Sequence, residues 1–139
     1  MPKLLVPSKW NHKIIGIFSK SSNDMIAFVD ISLQPSSGTM EALDPVPWSK
    51  RKQIKGLKPY ICNFLTAPKY RKRGFAKMLI RECEKYAYSI GYDEIYLHCK
   101  IDTPPALTLY ISSGFEPQQR IGNDTVFMRK KISPYRLKS

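Results

Sequence analysis

The sequence lacks the signatures of several classes of protein. Its apolar runs are no longer than about five residues, so none is long enough to cross a membrane. The three cysteines, Cys62, Cys83 and Cys99, form no CxxC pair and cannot all pair with one another. We therefore expect three buried thiols in a reducing compartment, and neither a structural zinc site nor another bound metal. The opening MPKLLVPSKW is too short and too interrupted by proline for a signal peptide.

Acidic side chains are also scarce. The 139 residues carry 11 acidic and 23 basic side chains, which gives a formal net charge of +12. Such a charge attracts nucleic acid, acidic surfaces or a phosphorylated cofactor. Lysine outnumbers arginine, and because bidentate reading of bases favours arginine, sequence-specific DNA binding is disfavoured. The cations form three clusters, which lie at 50–58, around Gly74 and in the tail at 129–138.

Apolar periodicity predicts an α+β fold with a mixed sheet. Period-two runs predict three strands, then a fourth after a helix, and finally a hairpin that turns at 122–124. Between the second and third strands, residues 34–58 read as a long basic loop. The predicted order is βββ-α-β-α-ββ. The predicted strands are KIIGIFS at 13–19, MIAFVDISL at 25–33, PYICNFLTAP at 59–68, DEIYLHCKI at 93–101, and roughly FEPQQR and TVFMRKKI.

Two helices are predicted. Residues 74–90 have one apolar stripe at i, i+3, i+4 and i+7 spacing, and Gly91 is placed to end that helix. Pro104 and Pro105 open a shorter helix that Gly114 ends. The stripe of the first helix consists of Ala76, Leu79, Ile80, Cys83, Ala87 and Ile90, while Lys77, Arg81, Glu84 and Lys85 fall largely off it.

The turn before the first helix has the composition of an anion site. A helix N-terminus leaves backbone N–H groups without partners and carries partial positive charge. Gly74 lets a ligand approach the backbone, and the small Ala76 keeps the first turn open. The R-x-x-G-x-A sequence that begins at Arg71 therefore suits a pyrophosphate, although it is neither a Walker loop nor a dinucleotide fingerprint. The alternative is a helix start surrounded by solvated cations.

A second motif gives this turn a family context. The segment from Pro104 to Phe115 ends in L-Y-x-x-x-G-F. Together, the strand, the R-x-x-G-x-A turn, the helix and this segment resemble the GNAT superfamily of acetyl-CoA-dependent N-acetyltransferases. The resemblance runs from about Met25 to Ile132, and its specific part begins at Tyr60. The sequence YICNFLTAPKYRKRG, followed later by IYLHC, is most similar to GNAT proteins of cyanobacteria and plastids, including plastid-encoded ones.

The resemblance implies a site for acetyl-CoA as co-substrate. Backbone groups of Phe64, Leu65 and Thr66 would pair with the pantetheine arm like another strand, and would polarise the thioester carbonyl like an oxyanion hole. Thr103 stands where the family usually has an asparagine that touches the coenzyme. The implied pyrophosphate loop consists of Arg71, Lys72, Arg73, Gly74, Phe75 and Ala76.

The resemblance also implies the catalytic residues. Tyr110 matches the family's general acid, because a phenol near the sulfur can return a proton to the expelled thiolate. His98 stands where several relatives place a glutamate, and an unperturbed pKa near neutrality suits a base for the attacking amine. Without the motif, Tyr110 reads as a core aromatic residue. His98 has a purely structural alternative too, because strand alternation places it on the face opposite Leu97 and Cys99.

The implied fold is a GNAT-like mixed, mostly antiparallel twisted sheet flanked by helices. GNAT domains usually begin with a strand and two helices, which help to wall the acceptor site. Only about a dozen residues precede the first predicted strand, so we expect this part to be shortened or missing. The acceptor site is then open, or completed by another subunit, as in a homodimer, or covered by the long loop. The chain reads as one domain, 1–139, with an N-terminal arm at 1–12, the loop at 34–58, an acetyl-CoA-binding core at 59–117 and a basic tail at 133–139.

The leading functional hypothesis is direct acetyl transfer from acetyl-CoA to a primary amine. The cysteines offer no acyl-enzyme nucleophile with an adjacent base. The basic surface favours a protein or peptide acceptor, modified at its N-terminus or at a lysine, and no membrane partner is expected. Two alternatives stay open: a basic module that binds nucleic acid or the ribosome, and an inactive GNAT that only binds acyl-CoA. Composition and resemblance together indicate the plastid stroma, with the cytoplasm of a cyanobacterium-like host as the alternative.

Overall fold

The fold is that of a computed structural model, which describes residues 2–4, 12–35 and 57–134. At 2–4, 12, 34–35, 57 and 63 it describes the backbone alone. The elements in chain order are β1 (Pro2–Leu4), β2 (His12–Phe18), β3 (Met25–Pro35), β4 (Leu57–Thr66), α1 (Phe75–Ser89), β5 (Glu94–Lys100), α2 (Pro104–Ser112), β6 (Glu116–Ile121) and β7 (Thr125–Lys131), with a 3₁₀ turn at Pro68–Tyr70.

All seven strands belong to one sheet in the order β1-β2-β3-β4-β5-β7-β6. The β4–β5 pair is parallel, and each of the other neighbouring pairs is antiparallel. A parallel pair needs a crossover connection, and α1 supplies it. The predicted α+β class with a mixed, mostly antiparallel sheet and flanking helices is confirmed.

The largest differences from the predicted strands are two boundaries and one strand that was not predicted. β4 begins at Leu57, so Pro59 lies inside the strand, opposite Leu33, instead of opening it. β3 continues to Pro35, so the predicted loop is shorter at both ends, and its middle, 36–56, lies outside the described residues. The strand β1 was not predicted, because a strand of three residues is too short to show periodicity. Its place in the sheet comes from its pairing with β2. None of the described residues ahead of β4 is helical.

The core lies between α1 and one face of the sheet. The sheet contributes buried apolar side chains to this core, among them Ile15, Val29, Ile31, Ile61 and Leu97. The predicted apolar stripe of α1 is confirmed at its centre, where Leu79, Ile80, Cys83 and Ala87 are fully buried.

Glu84, which was predicted to fall largely off the apolar stripe of α1, is buried. It is only 4% exposed, because its carboxylate lies 3.0 Å from the ammonium of Lys130 on β7. A charged partner 46 residues away along the chain makes this burial possible, and helical periodicity contains no signal for it.

The remaining predictions concern cysteines, charge clusters and membrane segments. Cys83 and Cys99 are buried free thiols, as predicted, and Cys62 is only partly buried. The basic loop and the last residues of the tail fall mostly outside the described ranges. Neither described helix is long and apolar enough to cross a bilayer.

Candidate active site

The sheet opens at the end of β4. The backbones of β4 and β5 are described over their whole lengths, and they pair only at Tyr60–Tyr96 and Ile61–Leu97. Beyond Ile61, β4 continues to Thr66 while β5 diverges from it. On its other side β4 carries one extra residue, a β-bulge, between the pairs Cys62–Asp30 and Leu65–Phe28. Because a bulge bends and twists its strand, the end of β4 turns away from β5, and its backbone groups on that side are open to a ligand.

A cleft of about 440 Å³ lies at this opening. Its walls are the end of β4, the start of α1 and one side of α2. Tyr110 and eight of the ten residues predicted to bind the cofactor line it. The lining residues are Phe64, Leu65, Thr66, Tyr70, Arg71, Lys72, Gly74, Phe75, Ala76, Lys77, Pro105, Ala106, Leu109 and Tyr110.

The N-terminus of α1 forms the polar end of the cleft. Gly74 is the N-cap residue with φ +85°, and Lys72 also has a left-handed φ, +62°. The first intrahelical bond is donated by Met78 to the Gly74 carbonyl at 3.1 Å, so the amides of the first turn precede the helical ladder. A Cβ built on Gly74 has no atom within 4 Å, and the first turn contains no acidic residue. The predicted anion site therefore has open space, free amide donors and positive potential.

The cations around Gly74 are exposed, but they are not equivalent. Arg71 donates from Nε to the carbonyl of Thr66 at 3.2 Å, which braces the turn against β4. Arg73 does not line the cleft, and its guanidinium lies 5.8 Å from the centre of the Tyr70 ring. Lys72 and Lys77 line the cleft directly.

Tyr110 forms the apolar end of the cleft. Its ring contacts Phe64 and Phe115 edge to face, with centroid distances of 6.2 and 5.8 Å. The side chain is 9% exposed. Burial raises the pKa of Tyr110 to about 12, and the nearby thiols of Cys99 and Cys83 add to the increase. The phenol is thus neutral and holds its proton at physiological pH.

His98 does not line the cleft. As strand alternation predicted, it lies on the sheet face opposite Leu97 and the helices. Its imidazole contacts the rings of Tyr60 and Phe127 edge to face, with both centroid distances 5.7 Å. Tyr60, fully buried on the neighbouring strand, was not predicted as a site residue. Its pairing with Tyr96 requires the parallel register of β4 and β5, which the sequence does not reveal.

Thr103 also lies outside the cleft. It is exposed, and its hydroxyl donates to the carbonyl of Lys100 at 2.8 Å. The cleft instead contains Pro105, Ala106 and Leu109, which sequence reasoning missed. Ala106 and Leu109 precede Tyr110 by four residues and by one, so helical spacing from Tyr110 would have identified Ala106.

A second cavity, of about 390 Å³, adjoins the cleft. The two share Gly74 and Lys77. Ser113 lines the second cavity, and its hydroxyl is buried with no hydrogen-bond partner among the described residues. The other lining residues are Met78, Ile80, Arg81, Glu84, Ser112 and Lys130.

Comparison with known proteins identifies the family. The model of the acetyltransferase (GNAT) family matches residues 7–115, so the chain belongs to this family, as the two motifs indicated. A solved structure of Arabidopsis thaliana NAA60 in complex with acetyl-CoA has the same fold, with a TM-score of 0.66 and 23% identity over 88% of this chain and 77% of that one.

Two curated relatives are similar in sequence. "GCN5-related N-acetyltransferase 5, chloroplastic" of Arabidopsis thaliana is 24% identical over 143 residues, which cover 87% of this chain and 42% of the relative. Spermidine N(1)-acetyltransferase of Vibrio cholerae is 36% identical over 52 residues, covering 37% of this chain and 30% of the relative. The chain therefore spans less than half the length of either curated relative.

Proposed function

We propose that this protein is an acetyl-CoA-dependent N-acetyltransferase that transfers acetyl directly to a primary amine of a protein or peptide. The observation that carries the proposal is the cleft between β4, α1 and α2. It has an anion site at one end, a neutral buried phenol at the other, and an open strand edge between them. Membership of the GNAT family supports the same activity.

Each part of the coenzyme has a counterpart in the two cavities. The pyrophosphate would accept hydrogen bonds from the first-turn amides at Gly74, beside Lys72 and Lys77. The amides of the pantetheine arm would pair with the backbone of β4 beyond Ile61. Because the second cavity shares Gly74 and Lys77, it would take the phosphorylated nucleoside end. Thr103 and Arg73, outside both cavities, would contribute little to binding.

The chemistry requires one proton to be removed and another to be supplied. The amine attacks the thioester carbonyl, the C–S bond breaks, and the sulfur leaves as a thiolate that must be protonated. Tyr110 would donate that proton from the cleft side of the sheet. His98 would accept the proton of the attacking amine from the opposite face, directly or through water, with its imidazole oriented by Tyr60 and Phe127.

The acceptor and the compartment are proposed on weaker support. The net charge of +12 favours an acidic peptide over a polyamine, although one relative is a spermidine acetyltransferase. The chloroplastic relative supports a plastid address. The rival interpretation is a basic module for nucleic acid, favoured by the exposed cations beside Gly74.

The first experiment is thermal melting with acetyl-CoA, desulfo-CoA or a short RNA, each at low and moderate salt. A ligand at about a hundred times its dissociation constant adds roughly 2.7 kcal/mol to stability. We expect both coenzymes to stabilise the protein at both salt concentrations. Acetylation of an acidic Met-initiated peptide, a lysine peptide and spermidine is then followed by mass spectrometry, with Tyr110→Phe as the matched control.

The outcomes separate the three interpretations. Stabilisation by RNA at low salt only, without an effect of either coenzyme, would show a polyanion-binding protein on an acetyltransferase fold. Binding of acetyl-CoA without acetylation of any of the three probes would favour the inactive, acyl-CoA-binding interpretation.

A further inference from the structure

Among the residues that the structure describes, a buried ion pair links three elements. Lys130 on β7 and Glu84 on α1 lie 3.0 Å apart, and their side chains are 4% and 5% exposed. Burying two charges costs several kcal/mol of desolvation, and apolar residues of similar volume usually stabilise a core as well or better. The pair therefore calls for an explanation other than stability.

The Lys130 side chain also contacts the chain where α2 ends. A Cβ built on Gly114 would lie 3.2 Å from Cε of Lys130 and 3.7 Å from its Nζ. With a φ of +99°, Gly114 provides both the turn and the space for this aliphatic stem. An ammonium beside a helix C-terminus also complements the partial negative charge there. One side chain thus connects β7, α1 and the end of α2.

These are the two helices that bound the cleft. α1 begins at the anion site of Gly74, and α2 carries Tyr110 one turn before Gly114. The spacing of α1 and α2 therefore sets the distance from the phosphate-binding end of the cleft to the phenol. We propose that the Lys130–Glu84 pair is a positioning device, which holds Tyr110 at a fixed distance from the anion site. This inference rests on the proposed acetyltransferase function.

Two other roles must be separated from positioning. If the pair only packs the core, its replacement by apolar residues has no consequence for the position of Tyr110. Alternatively, since both residues line the second cavity, they would touch the nucleoside end of a bound coenzyme. Neither role requires Tyr110 to move when the pair is removed.

The test compares single and double replacements in the full chain. Lys130→Met and Glu84→Gln each leave one charge buried without its partner, so we expect a lower melting temperature. The double variant Lys130→Met/Glu84→Leu removes both charges, and its melting temperature should return to that of the wild type. The exposed pair Glu82–Lys85 on the same helix is the matched control, and Glu82→Gln/Lys85→Met should change nothing.

The decisive readouts in the double variant report on Tyr110. With ¹³C-labelled tyrosine, the Tyr110 ring signal, assigned through Tyr110→Phe, should shift relative to the wild type. In the double variant, acetyl transfer to the peptide and spermidine probes should be roughly 10- to 100-fold slower than in the wild type, although stability is restored. A displacement of Tyr110 by about 1 Å can reduce the rate by that factor.

A double variant with wild-type stability, an unchanged Tyr110 signal and wild-type transfer overturns the proposal and leaves a structural ion pair. An unchanged Tyr110 signal with weakened acetyl-CoA binding also overturns it, and assigns the pair to the nucleoside end. If the wild type itself neither binds acetyl-CoA nor transfers acetyl, the proposed function fails. The Tyr110 signal still decides the positioning role in that case.

Discussion

Substitution of Gly74 tests the anion site most directly. Asparagine and aspartate both tolerate the left-handed φ of +85°, and a Cβ at this position meets no atom of the protein within 4 Å. Gly74→Asn and Gly74→Asp should therefore fold with the same modest backbone strain, and the Asp variant should melt slightly higher because its charge lies at the positive N-terminus of α1. They differ in one charge, which would lie beside a bound phosphate.

The magnitude follows from Coulomb's law. Two like charges about 4 Å apart repel by roughly 1 kcal/mol in water and roughly 4 kcal/mol at the effective dielectric of a protein surface. At about 1.4 kcal/mol per factor of ten, the Asp variant should bind acetyl-CoA between about 5-fold and about 700-fold more weakly than the Asn variant. Isothermal titration calorimetry of both variants and the wild type measures this ratio.

The result that refutes the reasoning is equal affinity of the two variants. In that case no anion lies beside Gly74, whatever the absolute affinities are. If both variants also bind like the wild type, the α1 N-terminus takes no part in binding. A loss of affinity common to both variants, with no difference between them, would instead indicate that the added side chain obstructs an uncharged part of the ligand.

Three further outcomes are expected. Tyr110→Phe should keep the acetyl-CoA affinity and slow acetyl transfer by about 100-fold. Unchanged turnover would show that another group is the general acid. His98→Gln should remove the acidic limb of the pH–rate profile, whereas a profile of unchanged shape would assign the base to another group or to solvent. Burial raises the pKa of Tyr86, Tyr96 and Tyr110 each to about 12, with the Glu94 carboxylate adding to the increase at Tyr96. Because these values lie above the unfolded value near 10, the contribution of the three tyrosines to stability is full below about pH 10 and is lost as pH rises toward about 12. The free energy of unfolding, measured with urea across that range, should therefore fall less in Tyr110→Phe than in the wild type.

The parts of the site that were predictable depend on local rules. The glycine and the apolar stripe after it predicted the start of the first helix, and the structure has Gly74 as the N-cap of α1 with a left-handed φ. Alternation along β5 likewise placed His98 on the correct face. Both rules operate within a few residues of chain, so tertiary structure changes neither of them.

The parts that were missed depend on contacts between distant segments. Burial of Glu84 requires Lys130 on β7, 46 residues away along the chain. The contact of Tyr60 with His98 depends on the parallel register of two strands that α1 separates. Sequence patterns describe one segment at a time, and neither of these two pairings lies within one segment.

The open edge of β4 has a consequence for how such a site can change through evolution. Main-chain N–H and C=O groups are the same for every residue except proline, so a ligand that paired with Leu65 and Thr66 through the backbone would place few demands on their side chains. The chain can then exchange these residues by neutral drift without losing the pairing surface, provided that proline does not enter. The positions that restrict the choice of residue are those with a left-handed φ, such as Gly74 and Gly114. A binding surface made of main chain can therefore persist in sequences that have diverged almost everywhere else.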